Sequence, residues 1–75
     1  MKVQFFAVLK DYFGSEIELE ASDVNDLMNQ LKNNKEEAVS ILNTSKVVIN
    51  NEIATENVKL DKIEMVILLP PSSGG

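Results

Sequence analysis

Residues 65–69 read Met-Val-Ile-Leu-Leu, and Pro70 and Pro71 follow at once. An apolar run this short cannot span a membrane, which needs roughly 18 residues. It reads instead as a strand, Glu64 to Leu69, buried on both faces near the centre of a sheet. The prolines end it, because neither has an N–H with which to continue pairing. The chain has 75 residues, enough for one domain with a thin core: at about this size only some 60% of the surface exposed on unfolding is buried. The residues upstream must therefore supply the neighbours of that strand.

Those neighbours can be read from periodicity. Val3, Phe5, Ala7 and Leu9 alternate with Gln4, Phe6 and Val8, which predicts a first strand reaching Leu9. Asp11 to Gly14 is a short turn or single helical turn. From Ser15 to Glu20 the alternation resumes, with Glu16, Glu18 and Glu20 on one face and Ile17 and Leu19 on the other. These two strands form a hairpin. Ser22 and Asp23 supply N-cap chemistry for a helix whose apolar stripe is Val24, Leu27, Met28 and Leu31, interrupted at Asn33-Asn34. Lys35 to Leu42 offers a second short helix. Lys46 to Asn50 is a strand, Asn50-Asn51 a turn, and Glu52 to Ala54 a short strand pairing back across it. A hairpin, a crossing helix and a late central strand describe a mixed sheet with one main helix on one face. This α+β arrangement is the β-grasp, with the first and last strands parallel at the centre.

One face of that sheet is apolar without an evident cover. Val3, Phe5, Ala7 and Leu9 form the face under the helix, so Phe6 points the other way. In the last strand Val66 and Leu68 share one face, and Met65, Ile67 and Leu69 the other. Phe6, Ile67 and Leu69, with Ile53 at the edge, are expected to form an exposed patch that marks a partner surface. The competing expectation is that residues 34–45 and 54–62 fold over it.

Composition narrows the chemistry. The chain has no Cys and no His, so side-chain thiolates, imidazole metal ligands and Ser–His or Cys–His pairs are excluded. Seven Lys and Arg against twelve Asp and Glu give a net charge of −5. That balance disfavours nucleic acid, whose phosphates need clustered cations, and suits a basic protein surface. No export signal or membrane span is evident at the start, so a cytoplasmic location and no membrane partner are expected. Glu16, Glu18 and Glu20 read as a solvated strand face rather than a site.

What remains is the end, Pro70-Pro71-Ser72-Ser73-Gly74-Gly75. Residues 1–70 are expected to form the domain and 71–75 a flexible tail, with four residues past the prolines reaching about 13 Å. Glycine, lacking a β-carbon, can thread a channel too narrow for other residues. A terminal carboxylate on such a tether becomes reactive once it is acyl-adenylated.

Three segments make the likeness specific: Lys2-Val3-Gln4-Phe5-Phe6-Ala7, Val48-Ile49-Asn50-Asn51-Glu52-Ile53, and Val66-Ile67-Leu68-Leu69 leading into the Pro-Pro-Ser-Ser-Gly-Gly end. With them the whole chain resembles the MoaD family, the small subunit of molybdopterin synthase and a ubiquitin-like sulfur carrier. The turn Asp61-Lys62-Ile63-Glu64 departs from the Asp-Gly-Asp-like turn common in that family. The resemblance implies a non-catalytic carrier with no permanently bound cofactor. An E1-like, MoeB-like enzyme uses ATP to adenylate the Gly75 carboxylate, and a sulfur donor converts it to a thiocarboxylate. The tail, Gly74, Ser73 and Ser72, then inserts into a MoaE-like large subunit, where sulfur passes to cyclic pyranopterin monophosphate. The resemblance further implies two small and two large subunits, with Phe6, Ile53 and Leu69 on the partner surface. Three alternatives stay open: a ThiS-like donor for thiamine thiazole, a protein-conjugating ubiquitin-like modifier, and an interaction module with an inert tail.

Overall fold

The computed structural model describes residues 1–71. Five strands run in chain order as β1 (Lys2–Phe5), β2 (Glu16–Glu18), β3 (Lys46–Ile49), β4 (Glu52–Ile53) and β5 (Met65–Leu69). They form one sheet in the order β2-β1-β5-β3-β4. β1 lies parallel to β5, with Val3 opposite Val66 and Phe5 opposite Leu68, and all other pairs are antiparallel. Helices α1 (Leu9–Phe13), α2 (Val24–Asn34) and α3 (Val39–Thr44), with a 3₁₀ turn at Glu36–Ala38, complete the elements of the described residues. This is the β-grasp expected from the sequence, with the last strand central. Among the described residues no helix is long and apolar enough to cross a membrane.

Local chemistry sets the element boundaries. Asp23 caps α2 as its spacing predicts: the Asp26 amide donates to Asp23 Oδ1 at 2.8 Å. The Ser22 amide donates in turn to Asp26 Oδ2 at 2.9 Å, so the two carboxylates tie down both sides of the helix start. The β3–β4 hairpin turns at Asn50 and Asn51, with φ 52° and 67°. Two consecutive left-handed residues match the right-handed twist of the strands they join, and Asn adopts that region more readily than most residues.

A single core holds one side of the sheet to every helix. Val3, Phe5, Val47, Ile49, Val66 and Leu68 come from the strands; Leu9, Leu27, Leu31, Ala38 and Leu42 come from the helices and the 3₁₀ turn. Leu60 joins them from the segment before β5. Phe13 stacks on Phe5 with ring centroids 4.7 Å apart.

Two expectations need correction. The first strand does not reach Leu9. It stops at Phe5, Ala7 is exposed with φ 52°, and Leu9 is a buried residue at the start of α1. Phe5 and Leu9 are four residues apart, a spacing that places both on one side whether the intervening period is 2 or 3.6. The alternation was therefore compatible with a strand or with a turn into helix. The second correction concerns β5, which is buried on one face only: Val66 and Leu68 are inaccessible, whereas Met65 is exposed and Ile67 and Leu69 are half-buried. Residues 34–45 and 54–62 do not close that second face, because Ala38, Leu42 and Leu60 are committed to the single core.

Candidate partner-docking face

The register defines the open face strand by strand. Gln4 pairs with Ile67, Ile67 with Val48, and Val48 with Ile53. Side chains opposite one another in a ladder share a face, so these four form a row across β1, β5, β3 and β4. Leu69 stands two residues along β5 from Ile67 on the same side, and Phe6 follows directly after the last paired residue of β1, Phe5 opposite Leu68. Exposure of the large side chains is 42% at Phe6, 50% at Ile53 and 40% at Met65. Ile67, Leu69 and Val48 are half-buried, yet none is among the apolar residues packed on the core. Of these, Val48 and Ile67 lie directly opposite each other in the ladder.

The face is divided between apolar and polar halves. Towards the β2 edge it carries Gln4, whose Nε2 donates to Glu16 Oε1 at 3.5 Å, and Lys2, whose Nζ lies 3.8 Å from Glu16 Oε2. Glu18 and Glu20 accept from the Met1 amine at 3.4 and 3.3 Å. Desolvation alone would lower the pKa of that amine, but hydrogen bonds and charge from Glu20 and Glu18 outweigh it and raise the pKa. Exposed pairs of this kind contribute little, in line with a solvated acidic edge. Beyond β1 the face is apolar except for Lys46, opposite Leu69.

The sheet thus brings Ile53, Ile67 and Leu69 to one face, while Phe6 is exposed just past the end of β1, outside the paired ladder. Val48 belongs at the centre of that row and was missed, although the alternation of Val47, Val48 and Ile49 carried the signal. Gly75, Gly74, Ser73 and Ser72 lie outside the described residues. Pro70 and Pro71 directly follow β5, the central strand of the sheet.

Little in the described fold suits small-molecule chemistry. A shallow groove of about 760 Å³ beside α2 is lined by Asn25, Asn29, Lys32, Thr55, Glu56 and Asn57, among others. No polar side chain is buried among the described residues, so none is held in a dry setting to orient a ligand there. Nor do these residues include a group of three or more His, Cys, Asp or Glu that could hold a metal ion.

A family model covers nearly the whole chain: residues 3–75 match the ThiS family. The chain belongs to the ThiS family. Its members are small ubiquitin-like sulfur carriers, not themselves catalytic, that work with an E1-like activating enzyme and a synthase partner. The match extends through Gly74 and Gly75. No curated protein matches the chain.

Proposed function

We propose that this ThiS-family chain is the sulfur carrier of a molybdopterin synthase, the MoaD role. Residues 1–70 are the docking body and 71–75 the delivery tail. On a MoeB-like E1 enzyme the Gly75 carboxylate attacks the α-phosphate of ATP, releasing pyrophosphate and leaving an acyl-adenylate. A sulfur donor then displaces AMP, and a thiocarboxylate remains. Docked on a MoaE-like large subunit, the tail passes its sulfur to cyclic pyranopterin monophosphate, and two carriers act in turn within a heterotetramer. ATP serves the activating enzyme; the carrier holds no cofactor of its own.

The observation that carries this reading is the join between the open apolar face and the exit of the chain. β5 contributes Ile67 and Leu69 to that face and then runs directly into Pro70 and Pro71. A partner covering the face therefore also meets Pro70 and Pro71, with Gly75 four residues further along the sequence. A carrier without cysteine must hold sulfur elsewhere than on a side chain, and the carboxylate of Gly75 meets that need. The Phe5-Phe6-Ala7 start and Pro70-Pro71 favour the molybdopterin branch of the family, since ThiS-like chains usually lack both.

Intact mass tests the reading in two steps. Incubation with the E1-like enzyme, ATP and a sulfur source is expected to replace one oxygen of Gly75 by sulfur. The loaded carrier is then offered cyclic pyranopterin monophosphate with a large synthase subunit, or a thiazole synthase with its substrates. Loss of sulfur only in the second mixture would assign the thiamine branch. Isopeptide adducts on lysines of other proteins would point to a conjugating modifier.

A further inference from the structure

The chain passes from β1 into α1 through three residues, and the middle one has a backbone its side chain disfavours. Ala7 has φ 52°. There a β-carbon crowds the following carbonyl, and Gly, or at times Asn or Asp, is the usual occupant. Elsewhere among the described residues the left-handed positions follow that rule: Gly14, Asn50 and Asn51. Ala7 does not.

The strained residue lies between two buried anchors, Phe5 at 1% exposure and Leu9 at 0%. Between them Phe6, Ala7 and Val8 are all exposed, and Phe6 and Val8 are two of the four exposed large apolar side chains in the described fold. The arc is held along its length. The carbonyls of Phe6, Ala7 and Val8 accept from the amides of Leu9, Lys10 and Asp11 at 3.1, 3.1 and 3.0 Å. At its start the Phe5 amide donates to the Ser15 carbonyl at 2.9 Å. Strained residues persist where their surroundings over-determine them, and they concentrate at clamps and binding sites. Here the strain and its supports hold two large apolar side chains in water.

We propose that Ala7 is a positioning residue whose β-carbon stiffens the Phe6–Val8 arc and presents Phe6 and Val8, preformed, to an apolar surface of the large synthase subunit. This rests on the docking role proposed for the open sheet face. Glycine at this position reaches the same φ without crowding, but it opens further torsions to the free chain. Those torsions must be frozen again on docking, which weakens binding without weakening the fold.

The test compares wild type with Ala7→Gly and Ala7→Asn, reading thermal melting, ¹⁵N relaxation of residues 6–8, and calorimetric binding to a purified large subunit of molybdopterin synthase. Ala7→Gly is expected to melt at or above wild type, since relief of a positive-φ alanine offsets the greater freedom of glycine in the unfolded chain. Its order parameters at residues 6–8 should fall, and its Kd should rise about tenfold, the scale of ordering one residue. Ala7→Asn keeps a β-carbon and tolerates the left-handed region, so it should restore both order and affinity. Ala7→Gly with wild-type Kd or wild-type order parameters overturns the inference. So does a melting point well below wild type, which would make the β-carbon packing rather than strain. If wild type itself fails to bind the large subunit, the proposed docking role falls; if wild type binds and Ala7→Gly is indistinguishable from it, only the role of Ala7 falls.

Discussion

Phe5 and Phe6 are adjacent in sequence, yet the fold gives them opposite tasks. Phe5 is 1% exposed and stacked on Phe13, whereas Phe6 is 42% exposed just past the end of β1. Removing a buried phenylalanine side chain costs about 3–5 kcal/mol. A 75-residue domain has only about 4–11 kcal/mol in total, at 0.05–0.15 kcal/mol per residue. Phe5→Ala should therefore be largely unfolded or melt tens of degrees lower. Phe6→Asp loses only the part of the ring already buried, about 1–2 kcal/mol of the 1.5–3 kcal/mol for full burial, or roughly 4–16 °C in melting temperature. Binding suffers more. The rest of the ring no longer gains about 1 kcal/mol on docking, and a stranded carboxylate costs a further 1–3 kcal/mol or so. Together these raise Kd by about 30- to 1,000-fold. Circular-dichroism melts of both variants and calorimetry against the large subunit provide the measurements. The reasoning fails if Phe6→Asp melts as poorly as Phe5→Ala, or if the folded variant binds within about threefold of wild type.

Deleting Gly75, or adding one residue after it, should abolish sulfur loading in the mass assay while the melting temperature stays within about 4 °C, since the described core is built from residues between Val3 and Leu68. Asn51, at φ 67°, should accept Gly without loss, whereas Asn51→Ala should destabilise by about 1–2 kcal/mol as read by denaturant midpoints. The Asp26 carboxyl is held below its ordinary pKa of 3.8, first by the Ser22 amide, then by the Gln30 side chain and the Ser22 hydroxyl, against an opposing desolvation. A depressed carboxyl contributes stability that is full above 3.8 and lost as the pH falls through its folded value. Asp26→Asn should therefore flatten the acid limb of the stability–pH curve below about pH 4; a limb as steep as wild type would refute the assignment.

Most of the topology was legible because each element announced itself more than once. The start of α2 is marked by its apolar stripe and also by Asp23 and Asp26, and the hairpin by Asn50-Asn51 lying between alternating runs. Where only one signal was present, the reading slipped. Nothing but alternation supported a strand from Phe6 to Leu9, and a four-residue spacing of buried side chains fits a turn into helix equally well. The positive φ of Ala7 could not be read, because alanine is not a residue that signals a left-handed turn.

The open face was legible only in part, for a physical reason. An apolar residue needs cover, but sequence does not say whether the cover comes from the same chain or another. Met65, Ile67 and Leu69 carry the same pattern as Val66 and Leu68, and on that pattern β5 reads as buried on both sides. The fold resolves this by where it spends its helices. Leu9, Leu27, Leu31, Ala38 and Leu42 all enter the core on one side, which leaves β5 with a second face that is half-buried at best. Among the described residues no further helix closes it. The strand at the centre of the sheet is thus also the strand whose outer face stays half-exposed, the face proposed for a partner, and Pro70 and Pro71 follow directly at its end.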